Sequence, residues 1–195
     1  IRDWRQRWKD DFSFYFVQLA NFRQPSPDPG NNDPWPLLQD RMRRILETTA
    51  GTGMAVINDI GEANDIHPKN KHDVGRRLAL WALAKDYNQK RVYSGPLFQE
   101  AKIKNGSIEV RFSHAGKGLK ARDHQPLRRF EIASEDGVWK WAKAEIIAPD
   151  TVSISSDEVD RPVAVRYAWA ANPAGANLVN SEGCLLYTSD AADEV

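Results

Sequence analysis

"GMAVINDIGEANDIHPKNKHDVGRRLALWALAKDY", Gly53 to Tyr87, decides the fold. It opens on a short apolar run that ends at Asn58 or Asp59, the pattern of a strand, and passes into a polar loop holding Asp65, His67 and Pro68. Val74, Leu78, Trp81, Ala82 and Lys85 then recur at helical spacing, with Pro68 suited to a first helical position. Strand, loop and helix in this order make the beginning of a crossover unit.

Upstream, "FSFYFVQLANF" is nearly continuously apolar from Phe12 to Leu19 and predicts a central strand buried on both faces. The Pro-, Gly- and Asx-rich "QPSPDPGNNDP", Gln24 to Pro34, is a loop. "WPLLQDRMRRILETT" follows, with Leu38, Met42, Ile45, Leu46 and Thr49 on one helical face. Because "IRDWRQRWKD" also reads as an amphipathic helix, the order is helix, strand, helix, strand, helix, which predicts an open α/β sheet. Ligands of such sheets collect outside the carboxyl ends of the strands, where "NDIHP" lies. Gly75 is expected to let the last helix approach the sheet closely.

Beyond about Tyr93 the period changes to two. "SIEVRFSH" alternates Ile108, Val110 and Phe112, "DTVSISS" gives Val152 and Ile154, and "VAVRYAW" gives Val163, Val165, Tyr167 and Trp169. Turn signals at "KNGS", "SEDGV" and "APDT" separate them. Residues 92–183 are therefore expected to form a small antiparallel β-rich domain after an α/β part at 1–91.

Lys plus Arg and Asp plus Glu both number 27, so the balance recruits neither nucleic acid nor an anionic membrane surface. No stretch approaches the roughly 20 apolar residues of a membrane helix. With 195 residues, 41% of them hydrophobic, the chain can bury a core. Its one cysteine, Cys184, opens "CLLYTSDAADE", which follows Gly183 without turn or pattern logic. Back-translated, Cys184 to Glu194 matches the transposase mosaic-end adapter of short-read libraries. Residues 184–195 are thus expected to be adapter read-through, which leaves no cysteine for disulfides or thiolate catalysis.

A neutral imidazole can take a proton from a serine hydroxyl while a carboxylate on its other nitrogen fixes tautomer and orientation. Asp65, two residues before His67 in a reversing loop, can fold back onto the ring. On spacing alone Asp65 or Asn64 serves equally well as a turn or cap residue. Lys69, Lys71, Arg76 and Arg77 read as a solvated helix face, and His72, His114 and His124 lack the spacing of a metal site, so neither metal nor cofactor is expected. Trp35, Trp139, Trp141 and Trp169 read as packing residues, although aromatic faces also suit sugar rings.

The block Gly53–Tyr87, with "FYFVQLANF", "YSGPLF" and "VRYAWAANPAGANLVNSEG", resembles the sialate O-acetylesterases and related carbohydrate acetylesterases of the SGNH (GDSL) hydrolase superfamily, over essentially Ile1 to Gly183. The resemblance implies that residues 1–91 are the carboxy-terminal part of a flavodoxin-like three-layer α/β/α domain. It makes His67 the general base of a serine esterase and Asp65 its orienting partner. The superfamily's usual acid lies three residues before the histidine, where this chain has Asn64, so a backbone or amide oxygen and the more remote Asp59 stay open as alternatives. The family's Gly-Gln-Ser-Asn-type nucleophile block and its oxyanion-hole blocks are absent, and Ser26, Ser94 and Ser113 stand in no such context. The expectation is a carboxy-terminal fragment, inactive alone, of a periplasmic or extracellular enzyme acting on O-acetylated carbohydrate. Acetylxylan is the rival substrate, a non-catalytic carbohydrate-binding module the rival class, and oligomeric state stays open.

Overall fold

A computed structural model describes residues 1–30 and 32–190. Helix α1 (Arg2–Trp8) buries none of its residues and is tied down by Arg5, whose guanidinium donates to the carbonyls of Phe12, Ala50 and Gly51. Strand β1 (Phe14–Val17) pairs in parallel with β2 (Thr52–Ala55), Phe14 opposite Thr52 and Val17 opposite Ala55. Helix α2 (Pro34–Thr48) connects them. Asp33 caps it by accepting from the backbone N–H of Trp35, and Pro34 occupies the first turn, where its missing donor costs nothing. Helix α3 (Lys71–Lys85) follows β2 and packs on both strands.

Four local expectations are corrected. Strand β1 is half-buried at all four positions, not buried on both faces, because only β2 pairs with it among the described residues. Met42 and Leu46 pack on a core as expected, but Leu38 is 51% exposed, and the fully buried residues of α2 are Pro36, Gln39, Asp40 and Arg43. Those polar groups are buried because they are bonded. The amide of Gln39 donates to the Leu19 carbonyl at 2.8 Å, and the Asp40 carboxylate accepts from Arg43 at 2.9 Å and from Arg44 at 2.8 Å. Helix α3 begins after Asn70, whose side chain accepts from the Asp73 N–H, not at Pro68.

Close approach of α3 depends on Gly53. A Cβ there would meet the Trp81 ring at 2.5 Å, whereas one on Gly75 would meet nothing within 4 Å. The Trp81 indole N–H donates to the Met54 carbonyl at 3.0 Å.

Strands β3 (Leu97–Lys104), β4 (Ser107–Ser113), β5 (Leu119–Ala121), β6 (Phe130–Ala133), β7 (Lys140–Trp141), β8 (Lys143–Ala148), β9 (Thr151–Ser155), β10 (Ala164–Tyr167), β11 (Leu178–Asn180) and β12 (Ser189–Asp190) are all antiparallel to their neighbours. They form sheets ordered β3-β4-β9-β8 and β12-β10-β6-β7, with β5 and β11 as a small pair. Asn105 and Gly106, both at positive φ, close the β3–β4 hairpin as the Asn-Gly signal requires. Ile108, Val110, Val152 and Ile154 of one sheet share a core with Phe130, Ile132, Val165 and Tyr167 of the other.

A second cluster joins Met54 and Val56 to Val179, Leu185 and Tyr187 and so straddles position 91. Leu185 and Tyr187 belong to that core and Leu186 to the first; Leu186 and Tyr187 are 1% exposed, and the Tyr187 hydroxyl donates to the Met54 carbonyl at 3.1 Å. The rest of the adapter-like stretch, 191–195, lies outside the described residues.

Candidate functional site

The loops that leave the carboxyl ends of β1 and β2 are fastened together. Phe22 and Glu62 form a parallel bridge, and the Arg23 N–H donates to the Ala63 carbonyl at 3.0 Å. The side-chain oxygen of Asn21 accepts from the Gly61 N–H at 2.6 Å. Gly61 is required by this approach, since a Cβ there would lie 2.0 Å from the Asn21 carbonyl oxygen. Asn172, just after β10, reaches in from the β-rich part, accepting from Asn21 at 3.2 Å and donating to the Arg23 carbonyl at 2.7 Å.

On this scaffold Asp65 Oδ1 accepts the His67 backbone N–H at 2.9 Å and lies 3.2 Å from His67 Nδ1. The backbone bond makes a short turn that aims the ring at the same oxygen. It is also the main reason the Asp65 carboxyl sits below the ordinary carboxylate range, with the ring contact and the Lys69 charge adding to it. Asp65 is therefore ionised at neutral pH and favours a proton on Nδ1, which leaves Nε2 as the basic nitrogen. The His67 side chain is 85% exposed and that of Asp65 46%.

The remaining sequence candidates go elsewhere. Asp59 is held by Arg77 through both oxygens, at 2.6 and 2.9 Å, and by Arg122 at 3.1 Å, so it does not serve His67. Arg77 is thus no part of a solvated face; it also donates to the Val56 carbonyl at 2.6 Å, at the end of β2. Asn64 accepts from Gln24. Lys69 pairs with Glu62 at 2.9 Å, which raises the Lys69 ammonium's pKa. The hydroxyls of Ser26, Ser94 and Ser113 bond the carbonyls of Asp28, Gly95 and Leu97. Among the described residues no three His, Cys, Asp or Glu side chains gather as a metal site. His114 stacks edge-on against Tyr93, and burial first, then the nearby Lys85 charge, lowers its pKa.

Asn21, Gly61 and Asn172 were missed as supports of the site. Only Gly61, a glycine inside the acid-and-imidazole loop, carried a signal in the sequence. Trp35 belongs to the same support, its indole N–H donating to the Ala20 carbonyl at 2.9 Å.

No protein-family model matches the chain. It is 29% identical, over 194 residues, to the sialate O-acetylesterase of Mus musculus, a match covering 89% of this chain and 35% of that protein. The crystal structure of a carbohydrate acetylesterase from Xanthomonas citri superposes with a TM-score of 0.89 at 40% identity and covers 97% of this chain. The chain spans 43% of that structure's length, so it corresponds to less than half of either relative.

Proposed function

Because the chain belongs with the sialate O-acetylesterases and carbohydrate acetylesterases, we propose that it is the carboxy-terminal part of an SGNH-type serine esterase that removes O-acetyl groups from carbohydrate, sialic acid foremost. His67 Nε2 takes the proton of a serine hydroxyl supplied from outside these residues, and the serine attacks the acetyl carbonyl. The imidazolium then protonates the leaving sugar oxygen, and the same nitrogen activates water to release acetate. Asp65 holds the ring and stabilises the imidazolium. The observation that carries this reading is the Asp65 carboxylate on His67 Nδ1 in the loop beyond the carboxyl end of a parallel strand.

The free edge of β1 supports completion by further strands into a three-layer domain, with 92–183 as the appended β-rich domain. Gln18 Oε1 and Asn58 Nδ2, buried just past the ends of β1 and β2, support it too, since neither has a hydrogen-bond partner among the described residues. The reading keeps Cys184 to Glu194 as adapter-encoded residues, of which Leu185 and Tyr187 stand where a native segment covers Met54. It places the enzyme in the periplasm or outside the cell; no described helix is long and apolar enough to cross a membrane.

Sequencing the gene past both ends and expressing its full product tests the proposal. That product is expected to hydrolyse 4-nitrophenyl acetate and to lose about 10⁴-fold or more in kcat on His67→Ala. The present chain is expected to stay at background, because a base without a nucleophile or oxyanion donors has nothing to activate. Undiminished turnover in the His67→Ala product sinks the assignment.

A further inference from the structure

We propose that the groove between the loop after β1 and the β6–β7 edge binds a sugar ring bearing a carboxylate, an inference that rests on the carbohydrate reading above and adds to it a binding site away from His67. The groove measures about 450 Å³, within the roughly 300–1,000 Å³ usual for ligand clefts. Pro27, Leu127 and Trp141 give it an apolar wall, and Arg128 and Arg129 its cations.

The aromatic wall is fixed in place. The Trp141 indole N–H donates to the Pro27 carbonyl at 3.1 Å, so the ring is pinned to the loop while remaining half-buried. A pinned, half-exposed indole offers the flat apolar surface on which the C–H face of a pyranose rests.

Arg129 supplies the charge. Its guanidinium lies 5.3 Å from the Trp141 ring centroid. Its Nε donates to the Ala174 carbonyl at 2.7 Å and its Nη1 to the Ser26 carbonyl at 3.0 Å, so two neutral acceptors hold the group without neutralising it. No carboxylate pairs with it among the described residues, and Nη2 keeps its donors. The contrast with Arg128 is informative, because that neighbour is already paired with Asp123. Arg129 also holds φ at +67°, a left-handed conformation that a side chain adopts at a cost and that tends to persist where the surroundings demand it. A half-buried guanidinium with a spare donor, beside a fixed aromatic face and with Glu131, the carboxylate whose charge reaches it, already bonded to Arg166, is complementary to an anion carried on a ring with an apolar side.

The test uses the ¹⁵N-labelled chain and follows the Trp141 indole N–H, assigned by its absence in Trp141→Phe. Methyl β-D-glucuronide is expected to shift it saturably at millimolar concentration, while methyl β-D-glucoside and sodium acetate at the same concentration do not. Arg129→Gln is expected to weaken the glucuronide response by about tenfold or more, as loss of a charge-assisted contact does, and Arg129→Lys by less. Equal shifts from the glucoside, equal shifts from acetate, or none from the glucuronide overturn the proposal. Should Arg129→Gln fail to fold, the three probes on the unsubstituted chain still decide. None of them carries an acetyl ester, so failure here leaves the His67 assignment intact, and failure of that assignment leaves this result unchanged.

Discussion

The Glu131–Arg166 and Asp65–His67 pairs each set a carboxylate against a nitrogen base, and their surroundings are opposite. Glu131 Oε2 accepts from Arg166 Nε at 2.9 Å and Nη2 at 2.8 Å and from the Gly30 N–H at 3.0 Å, and both side chains are no more than 5% exposed. Trp139 and Trp169 lie against the Arg166 guanidinium, at 3.9 and 5.4 Å from its central carbon. That contact is closed. Asp65 and His67 stand in solvent, with Nε2 uncommitted among the described residues. A pair that holds a fold together uses up its bonding capacity, whereas the pair proposed to act keeps some in reserve.

Breaking the closed pair is expected to have the largest effect. Glu131→Ala leaves a buried guanidinium without its acid and unfastens Gly30, and should lower unfolding stability by about 3–5 kcal/mol, read from a urea titration. A loss under about 1 kcal/mol would mean that the pair is as dispensable as a surface one. Next comes Gly61→Ala, where the added Cβ meets backbone that cannot rotate away. A cost of about 1–3 kcal/mol is expected, together with shifted amide resonances at Asn21 and Phe22. Unchanged spectra would show that the two loops are not clamped as described.

His67→Ala should alter stability by no more than about 0.5 kcal/mol, because an exposed ring leaves nothing buried behind. A large loss there would erase the distinction between the pairs. The smallest effect concerns pH. The folded-state pKa of Asp65 is depressed, so its contribution to stability is present above the ordinary carboxylate value and disappears as pH falls below that value through the folded one. Carbonyl NMR should place the Asp65 midpoint below the ordinary carboxylate range, and His67→Ala should move it only part of the way back, because the backbone N–H is the larger cause. Full reversion would assign the shift to the ring instead.

What was legible in the sequence was mostly local. The strand–loop–helix order around Asn58, the Asn105-Gly106 hairpin, the alternation of Ile108, Val110 and Phe112, and the Asp65–His67 contact all involve neighbours a few residues apart. The polar part of α2's buried face was not legible at Gln39, which is polar by type and becomes core only through Leu19 and the Thr188 hydroxyl, at 3.5 Å from Gln39 Oε1 and 149 residues away. The same holds for Asp59, whose engagement with Arg122 joins residues 63 apart. Arg129 and Trp141 likewise acquire their meaning only when the loop after β1 folds against β7.

The turn at Asp65 has a consequence for how such a site is inherited. Carboxylate, imidazole and the bond between them are encoded within three adjacent codons and need no distant contact to find one another. The loop can therefore be moved between scaffolds as a cassette, arriving at a new strand end with its proton acceptor already oriented. The host then has to supply the hydroxyl opposite and the oxyanion donors around it.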